Sequence, residues 1–471
     1  MLPRIRLRHL ALLVAPLALT GCSSVGQVLG QAPRPLPLPP GFTLAFNQRD
    51  DAHYRSPISG ESRRGDDLEA LLVQTISGAR QQVLVAVQEL SLPAVAGALA
   101  EQHRRGRRVQ VVLEHTYSTP WSEQHEADLS PHLRNRRRQL QQLADRNRDG
   151  RLSAAEREGG DAVLILRRAG VPLIDDRADG SAGSGLMHSK YLVVDGRTVV
   201  TGSANFTPSC IHGDPDDRRT RGNVNHLMRI QSPALVALFQ KDFQAMWGDG
   251  PGGRSDSRFG IAKESGPSRT VLVGQVPVQV LFAPHRRTDP NNGLNLLAAI
   301  LKQAKRQVDM ALFVFSAQQL TDGLAELQRR RVQIRLLADA GFASRPFSEV
   351  LDLLGVAMAD KTCKLESGNQ PLKAALNGVG IARLPGGDKL HHKVAVIDNR
   401  TVITGSFNWS PSAAHQNDEV LLVIHSPLLA AHFTREMDRI WKGAELGITD
   451  QLARKLQRGR MRCGSGVERG S

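Results

Sequence analysis

The chain has 471 residues, 41% of them hydrophobic, enough for two or three globular domains and too apolar for a disordered polymer. Against 46 acidic residues stand 61 lysines and arginines, a net charge of +15 that suits polyanions, whether nucleic acid or an anionic membrane. Aromatic residues are only 4%, so the composition advertises no base-stacking platform.

At the N-terminus Arg4, Arg6 and Arg8 precede an apolar run from Leu10 to Leu19, followed by small residues and Cys22. This is the pattern of a secretory leader, too short to span a bilayer. Leu19-Thr20-Gly21-Cys22 resembles the bacterial lipoprotein box. The resemblance implies a signal peptide over 1–21, cleavage before Cys22, and lipid attachment to Cys22. It places the chain in the bacterial cell envelope, on the periplasmic face of the inner or outer membrane. No later stretch is long and apolar enough to cross a membrane. Residues 22–41 end in "QAPRPLPLPP", a semi-rigid tether. Cys210, Cys363 and Cys463 then allow at most one intrachain bridge, its pairing open, and no metal-ligand spacing joins them.

The body is one unit written twice, over 42–250 and 271–445, with a glycine- and serine-rich linker at 251–270. "QQVLVAVQELS" at Gln81 matches "RQVDMALFVFS" at Arg306, and "SPALVALFQKDFQAMW" at Ser232 matches "SPLLAAHFTREMDRIW" at Ser426. In each copy a helix (Asp66 to Ala79; Leu294 to Ala304) leads to a buried β-rich run. A second helix follows (Pro93 to Arg104; Gln318 to Arg330), then another buried strand. That alternation predicts an α/β fold with a mixed sheet in each half. The tail, 446–471, is basic and punctuated by glycine, and is expected to be partly disordered.

The first copy alone carries an insertion, 131–160. After a helix over Pro131 to Ala144, "DRNRDGRLSAAE" fits the calcium-loop pattern of an EF-hand. Asp145, Asn147, Asp149 and bidentate Glu156 would bind Ca2+ through side chains, Arg151 through its carbonyl, and Ser153 directly or through water. Gly150 supplies the turn. Gly159-Gly160 shortens the exiting helix, and no second loop pairs with this one, so the ion reads as a structural clamp.

The chemistry lies in two further matched stretches, "MHSKYLVVDGRTVVTGSANFT" (Met187 to Thr207) and "LHHKVAVIDNRTVITGSFNWS" (Leu390 to Ser410). Each reads His-x-Lys-x-x-x-x-Asp, six residues, then Gly-Ser-x-Asn. The residues are His188, Lys190, Asp195, Ser203 and Asn205, then His391, Lys393, Asp398, Ser406 and Asn408. Asp195-Gly196 and Asp398-Asn399 are hairpin-turn dipeptides between β-rich runs. Residues i and i+2 share a strand face, so each hairpin can aim an imidazole, an ammonium, a hydroxyl and an amide at one point. A neutral imidazole is a nucleophile, and the other groups donate hydrogen bonds suited to phosphate oxygens. The aspartates, at odd offset in the turn, read as hairpin or lysine tethers rather than proton carriers.

The doubled motif resembles the phospholipase D superfamily, the His-Lys-Asp phosphodiesterases. The resemblance implies two repeats packed by pseudo-twofold symmetry around one shared site, hence a monomer complete in itself. It implies double displacement: one histidine attacks phosphorus, the other protonates the departing oxygen and then activates water. No metal is needed for that step. Aligning "GNVNHLMRI" (Gly222 to Ile230) with "QNDEVLLVI" (Gln416 to Ile424) pairs Asn225 with Glu419. In the family a carboxylate at this position commonly bonds its own histidine. On that basis Glu419 is expected to support His391 as the acid, while Asn225 leaves His188 neutral as the nucleophile. The connection Cys210 to Arg221 is about nine residues longer than its counterpart and is expected to form a solvated lip, with His212 and Asp214 as lesser candidates for substrate contact. The hairpins do not separate phospholipid from nucleic acid as the phosphodiester partner. A membrane-tethered phospholipase D-type hydrolase is favoured, an envelope-anchored nuclease is the alternative, and cardiolipin synthase-like transfer or an inactive scaffold follows behind.

Overall fold

The computed structural model describes residues 34–181 and 185–464. The leader, Cys22 and most of the tether fall outside the described residues. Among the described residues no helix is long and apolar enough to cross a membrane.

Strand β1 (Phe42–Phe46) is followed by a small hairpin, β2 (His53–Arg55) and β3 (Ser62–Arg64). Strands β4 (Gln82–Val87), β5 (Arg108–Leu113), β6 (Leu173–Asp175), β7 (Lys190–Val194), β8 (Thr198–Gly202) and β9 (His226–Gln231) complete the first half. The second half contributes β10 (Arg269–Val273), β11 (Val276–Ala283), β12 (Gln307–Leu312), β13 (Gln333–Ala338) and β14 (Val379–Ile381). After these come β15 (Lys393–Ile397), β16 (Thr401–Gly405), β17 (Glu419–His425) and β18 (Glu445–Leu446). The first sheet runs β1-β9-β8-β7-β4-β5-β6 and the second β10-β11-β17-β16-β15-β12-β13-β14-β18. In both, the βαβ strands pair in parallel and the hairpin strands antiparallel. The duplication read from sequence is therefore a duplication of topology, and the mixed α/β architecture is as expected.

The paired strands at the centre, "QVLVAV" and "QVDMAL", are nearly continuous apolar runs because both faces of each sheet are covered. Leu72, Val85, Leu99 and Val111 lie in the first half's own core, and Leu297, Met310, Leu324 and Leu336 in that of the second. A third cluster draws on both halves, with Tyr191, Met228 and Phe239 packed among Val394, Val420 and Phe433. The halves are thus one body.

Helix limits follow local chemistry. Asp67 accepts the amide of Ala70, so the first helix spans Leu68–Ser77 rather than starting at Asp66. The matched Ser-Pro starts cap Pro233–Trp247 and Pro427–Trp441 alike. Pro93–Arg104 and Pro131–Ala144 fall on their expected bounds, and Gly293–Lys302 and Gln318–Arg329 lie within two residues of theirs. In the insertion the Pro131–Ala144 helix and the short Ala154–Gly160 helix meet so closely at Gly160 that a Cβ there would sit 2.3 Å from that of Ala144.

The structure adds contacts that composition did not show. The linker over 251–270 packs into the body. Lys263 is buried within it, 2.7 Å from Asp242 and 2.9 Å from Asp418, and burial makes a carboxylate pair obligatory for that charge. In the tail, where the expected partial disorder of residues 465–471 lies outside the described residues, Asp450–Cys463 is a helix whose Leu452 and Leu456 enter the second core. Its last residue is joined to Cys363 by a disulfide, Cα–Cα 5.4 Å, leaving Cys210 as a buried free thiol. Local glycine content missed the amphipathic period that docks this helix.

Candidate active site

The hairpins form as expected. Asp195 and Gly196 both take positive φ, as do Asp398 and Asn399, and the amides of Arg197 and Arg400 close each turn at 3.0 Å. The aspartate carboxylates then accept three consecutive amides leading into the neighbouring antiparallel strand, β4 or β12. Asp195 takes Arg80, Gln81 and Gln82; Asp398 takes Lys305, Arg306 and Gln307. Each is a hairpin tether at the end of the strand remote from its lysine. They belong to the scaffold, not to the reacting atoms.

At the other end, each histidine is sewn to the opposite half. The amide of His188 donates to the carbonyl of Asp418 at 2.9 Å, and that of His391 to Val224 at 3.2 Å. Isolated parallel bridges join Met187 to Asp418 and Val224 to Leu390 beside them. Below, His226 and His392 meet at 3.1 Å, and Thr404 lies 2.7 Å from the other nitrogen of His226. Reciprocal stitching of this kind brings both motifs to one inter-repeat site.

This crossing corrects the expected pairing. Glu419 does not support His391; its carboxylate lies 2.8–2.9 Å from Nδ1 of His188. Asn225 Oδ1 lies 2.9 Å from Nδ1 of His391. The alignment of Asn225 with Glu419 is right, but a pseudo-twofold hands each to the other repeat's histidine. The amide orientation of Asn225 is fixed independently. Its Nδ2 donates to the carbonyls of Cys210 and Asn223, so Oδ1 must face the imidazole and accept Nδ1–H. Both rings therefore carry hydrogen on Nδ1 in their neutral form, which makes Nε2 the nitrogen with a free lone pair. Among the described residues neither Nε2 has a hydrogen-bond partner.

The serines also work at one remove. Ser203 donates to Asn225 Oδ1 at 2.8 Å and Ser406 to Glu419 at 2.6 Å, while each accepts an amide from β9 or β17. They orient the groups behind the histidines instead of pointing at a shared focus. The lysines and asparagines remain for the ligand. Lys190 and Lys393 are buried, each giving one hydrogen bond to the carbonyl of its own motif histidine, at 2.7 and 2.8 Å. Asn205 stands beside Lys190, both donating to Gln88, and the buried Oδ1 atoms of Asn205 and Asn408 have no hydrogen-bond partner among the described residues.

Burial dominates the electrostatics. It lowers His188 to a pKa of about 4 against the opposing pull of Glu419, with Lys190 adding to the lowering. His391 is pushed well below its usual value by burial and then by Lys393 and Lys190. Burial also brings Lys190 down to about 8 and Lys393 well below the lysine range. Burial thus favours neutral imidazoles beside two lysines whose ammonium forms an anionic ligand would stabilise.

Three residues went unnoticed in the sequence. Gln88 accepts from Lys190 at 3.4 Å and from Asn205 at 3.2 Å. Its counterpart Phe313 packs against His391 at a tilt of 55°, ring centroids 4.6 Å apart, with the Lys393 ammonium 4.8 Å over its face. Lys263 holds Asp418, whose carbonyl anchors His188. The matched strand ends at Gln88 and Phe313 were the available signal. His212 of the expected lip is neither solvated nor free: it is buried, bonded to Tyr54 and Glu69. Asp214 is half-buried on Thr220.

Two groups of residues could hold a metal. Glu114, His115 and Asp176 place ligand atoms within 4.8 Å of one another. They already satisfy each other, and Asp176 takes the amide of Met187, so the trio braces the strand entering His188. In the insertion, Asp145, Asn147, Asp149 and Glu156 fold inward onto the loop's own amides, with Glu156 reaching back to Arg146 and Asn147. Ser153 and Glu156 also form a reciprocal cap for the exiting helix.

The family described as cardiolipin synthase, phospholipase D-like domain, matches residues 72–247 and 297–441, one block in each half. The chain belongs to this phospholipase D superfamily. Among its relatives, a mitochondrial cardiolipin hydrolase of Xenopus laevis is 27% identical over 184 residues, 37% of this chain and 78% of that one. A phospholipase D of Rickettsia bellii (strain RML369-C) is 30% identical over 143 residues, 30% of this chain and 61% of its own. The crystal structure of phosphatidylserine synthase from Haemophilus influenzae Rd KW20 superposes with a TM-score of 0.53 at 12% identity, covering 90% of this chain and 96% of that one. That likeness is one of fold across both repeats.

Proposed function

We propose that the protein is a phospholipase D-type hydrolase that cleaves phospholipid headgroup esters through a phosphohistidine on His188. The observation that carries the reading is the unequal backing of the two imidazoles, and it replaces the ground expected from sequence. Glu419 stands behind His188, so the nucleophile is here the carboxylate-backed ring, and Asn225 stands behind His391. Nucleophilic attack by Nε2 of His188 builds positive charge on that ring, and a carboxylate on Nδ1–H stabilises it. Asn225 fixes the tautomer of His391 but leaves its charge to the substrate. A bound phosphodiester anion raises the pKa of His391, so the proton is taken up as the ligand arrives.

The P–N bond to His188 forms as the ester P–O bond breaks, and Nε2–H of His391 passes to the leaving alcohol oxygen. His391, now neutral, takes a proton from water as its oxygen attacks phosphorus. The P–N bond then breaks, releasing a phosphate monoester. Lys190, Lys393, Asn205 and Asn408 hold the phosphoryl oxygens, and Gln88 aligns Lys190 and Asn205.

Phospholipid is favoured because the flank beside His391 is apolar: Phe313 leads at 4.6 Å to Phe342 and at 6.5 Å on to exposed Phe347. Leu186, two residues before His188, is likewise exposed. The names borne by the frog and Rickettsia relatives agree with this choice. An envelope nuclease is the second reading, favoured by a cleft of about 420 Å³ lined by Arg49, Arg63, Arg64, Arg221 and Arg439. Phosphatidylcholine vesicles, plasmid and single-stranded DNA decide between them. Choline release without nicking supports the first, and nicking alone supports the second.

The same proposal has the chain act as a monomer, tethered at the envelope through Cys22. It also has Ca2+ bind the Asp145–Glu156 loop as a clamp on the insertion, with Arg151 giving its carbonyl. The donor set suits it: hard oxygens in register and two left-handed turn residues, Arg148 and Gly150. Millimolar Ca2+ should raise the melting temperature relative to EDTA, and Glu156→Gln should abolish the rise.

A further inference from the structure

The helix Asp450–Cys463 has no part in the chemistry, yet it is fixed with care. Leu452 and Leu456 bury one side of it, the Cys363 disulfide locks its end, and Lys455 bonds Ser344. At 100° per residue, Arg454, Arg458 and Met461 fall on the side opposite Leu452 and Leu456, with Arg462 on the flank beside them. All four are exposed, Met461 by 71%. After Asp450 the helix contains no acid. Arg454, Arg458, Arg460 and Arg462 take part in no ion pair among the described residues, and the contacts of Arg458 and Arg462 are to carbonyls. The arginines of the cleft at Arg49 are different, since Arg49, Arg63, Arg64 and Arg439 all face carboxylates.

This cationic face also has apolar ends. Leu446 and Ile448, 45% and 47% exposed, precede the helix, and Met461 closes it. Ser344, on which Lys455 rests, lies in the short loop between Phe342 and Phe347, the outer members of the aromatic series that begins at His391. Arginine and hydrocarbon exposed on one flat-lying helix, about 21 Å long, match an interface that offers anionic headgroups beside acyl chains. A nucleic-acid strand would supply the charge but no environment for Leu446, Ile448 and Met461.

We propose that this disulfide-locked helix, with Phe347, is the surface by which the enzyme lies on an anionic phospholipid bilayer, with the His391 side of the site toward the lipid. The inference rests on the phospholipid reading above and adds the docking face and its preference for negative headgroups.

Vesicles of 30% phosphatidylglycerol in phosphatidylcholine, vesicles of phosphatidylcholine alone, and a single-stranded oligonucleotide are the probes for the soluble chain lacking residues 1–33. The anionic vesicles should bind it, less so at high salt. Arg454→Gln, Arg458→Gln and Arg462→Gln together should weaken that binding about 100-fold. Cleavage of the soluble diester bis(p-nitrophenyl) phosphate should stay unchanged, as it needs no surface. Phe347→Ser should lower turnover on vesicles. Unaltered vesicle binding by the triple variant with its melting temperature preserved overturns the proposal, as does tight oligonucleotide binding by wild type with no vesicle binding. Loss of soluble-diester cleavage in wild type would instead defeat the hydrolase reading, leaving the vesicle result to be judged alone.

Discussion

The two repeats present the same hairpin, the same lysine contact and the same serine brace, yet what surrounds their histidines differs in kind. Around His188 stand Glu419 and Gln88, a carboxylate and an amide; around His391 stand Asn225 and Phe313, an amide and an aromatic ring. Duplication builds the symmetry that brings two imidazoles to one inter-repeat site. Differences at two equivalent positions then break it, and in the proposed mechanism they let one ring keep a positive charge while the other lends a proton. The lesson is that chemical roles here are set by residues behind the histidines, contributed across the twofold.

The largest effect that could break this comparison comes from the histidines themselves. His188→Ala and His391→Ala should each lower phospholipid turnover by about 10⁴-fold or more. They should part company on an ester with a p-nitrophenolate leaving group, which departs without an acid. There His391→Ala should still form the covalent intermediate and accumulate it, since water activation is lost, whereas His188→Ala should form none. Mass spectrometry after an alkaline quench would locate the phosphoryl group; finding it on His391 in wild type would reverse the roles.

Next come the groups behind the rings. Glu419→Gln removes the counter-charge for the phosphohistidine and should cost about 10²- to 10³-fold in kcat. Asn225→Asp should act in the opposite sense on the other ring. A carboxylate on Nδ1 of His391 raises its pKa, so the proton persists to higher pH and the alkaline limb of the kcat profile moves up. If Asn225→Asp shifted only the acid limb, the assignment of His391 as acid would fail.

A stability contrast follows in size. Lys263 sits on Asp418, whose own carboxyl burial lifts to about 6 even so. Lys263→Ala leaves Asp418 and Asp242 as buried carboxylates without a cation and should cost about 3–5 kcal/mol. Thermal melts would show it. Because Lys263 is what holds the Asp418 carboxyl down, its removal lets that group rise further, so part of the loss should be recovered by protonation already above pH 6.

Much of this was legible in the chain. The repeats, the hairpin turns, the strand alternation and both histidines follow from period and spacing, because each is local. What the sequence hid is what depends on the twofold. Glu419 and Asn225 could be aligned, but no spacing tells whether such a residue serves its own repeat or the other. Ser203 and Ser406 share a strand parity with the asparagines, yet their hydroxyls turn back to Asn225 and Glu419 because those acceptors lie buried beneath them. Lys263 looked like linker composition, since a buried ion pair between remote segments leaves no periodic trace. The final helix was masked by glycines that its disulfide and two leucines outweigh.

The smallest test concerns Gln88, where the two flanks differ by one acceptor. Lys190, lowered to about 8 by burial, loses its charge as pH rises through that value, and with it the grip on the phosphoryl oxygens. Gln88 Oε1 favours the ammonium by accepting from it. Gln88→Leu should therefore lower the Lys190 pKa further and move the alkaline fall in kcat/KM to lower pH. Near neutrality, where the ammonium is still the main form, the loss should be only several-fold. Phe313→Leu takes away a ring face rather than an oxygen, so it should change turnover without moving that limb through Lys190. Identical pH profiles for Gln88→Leu and wild type would mean that the phosphate, once bound, holds Lys190 protonated unaided, and that the difference between the flanks is one of shape alone.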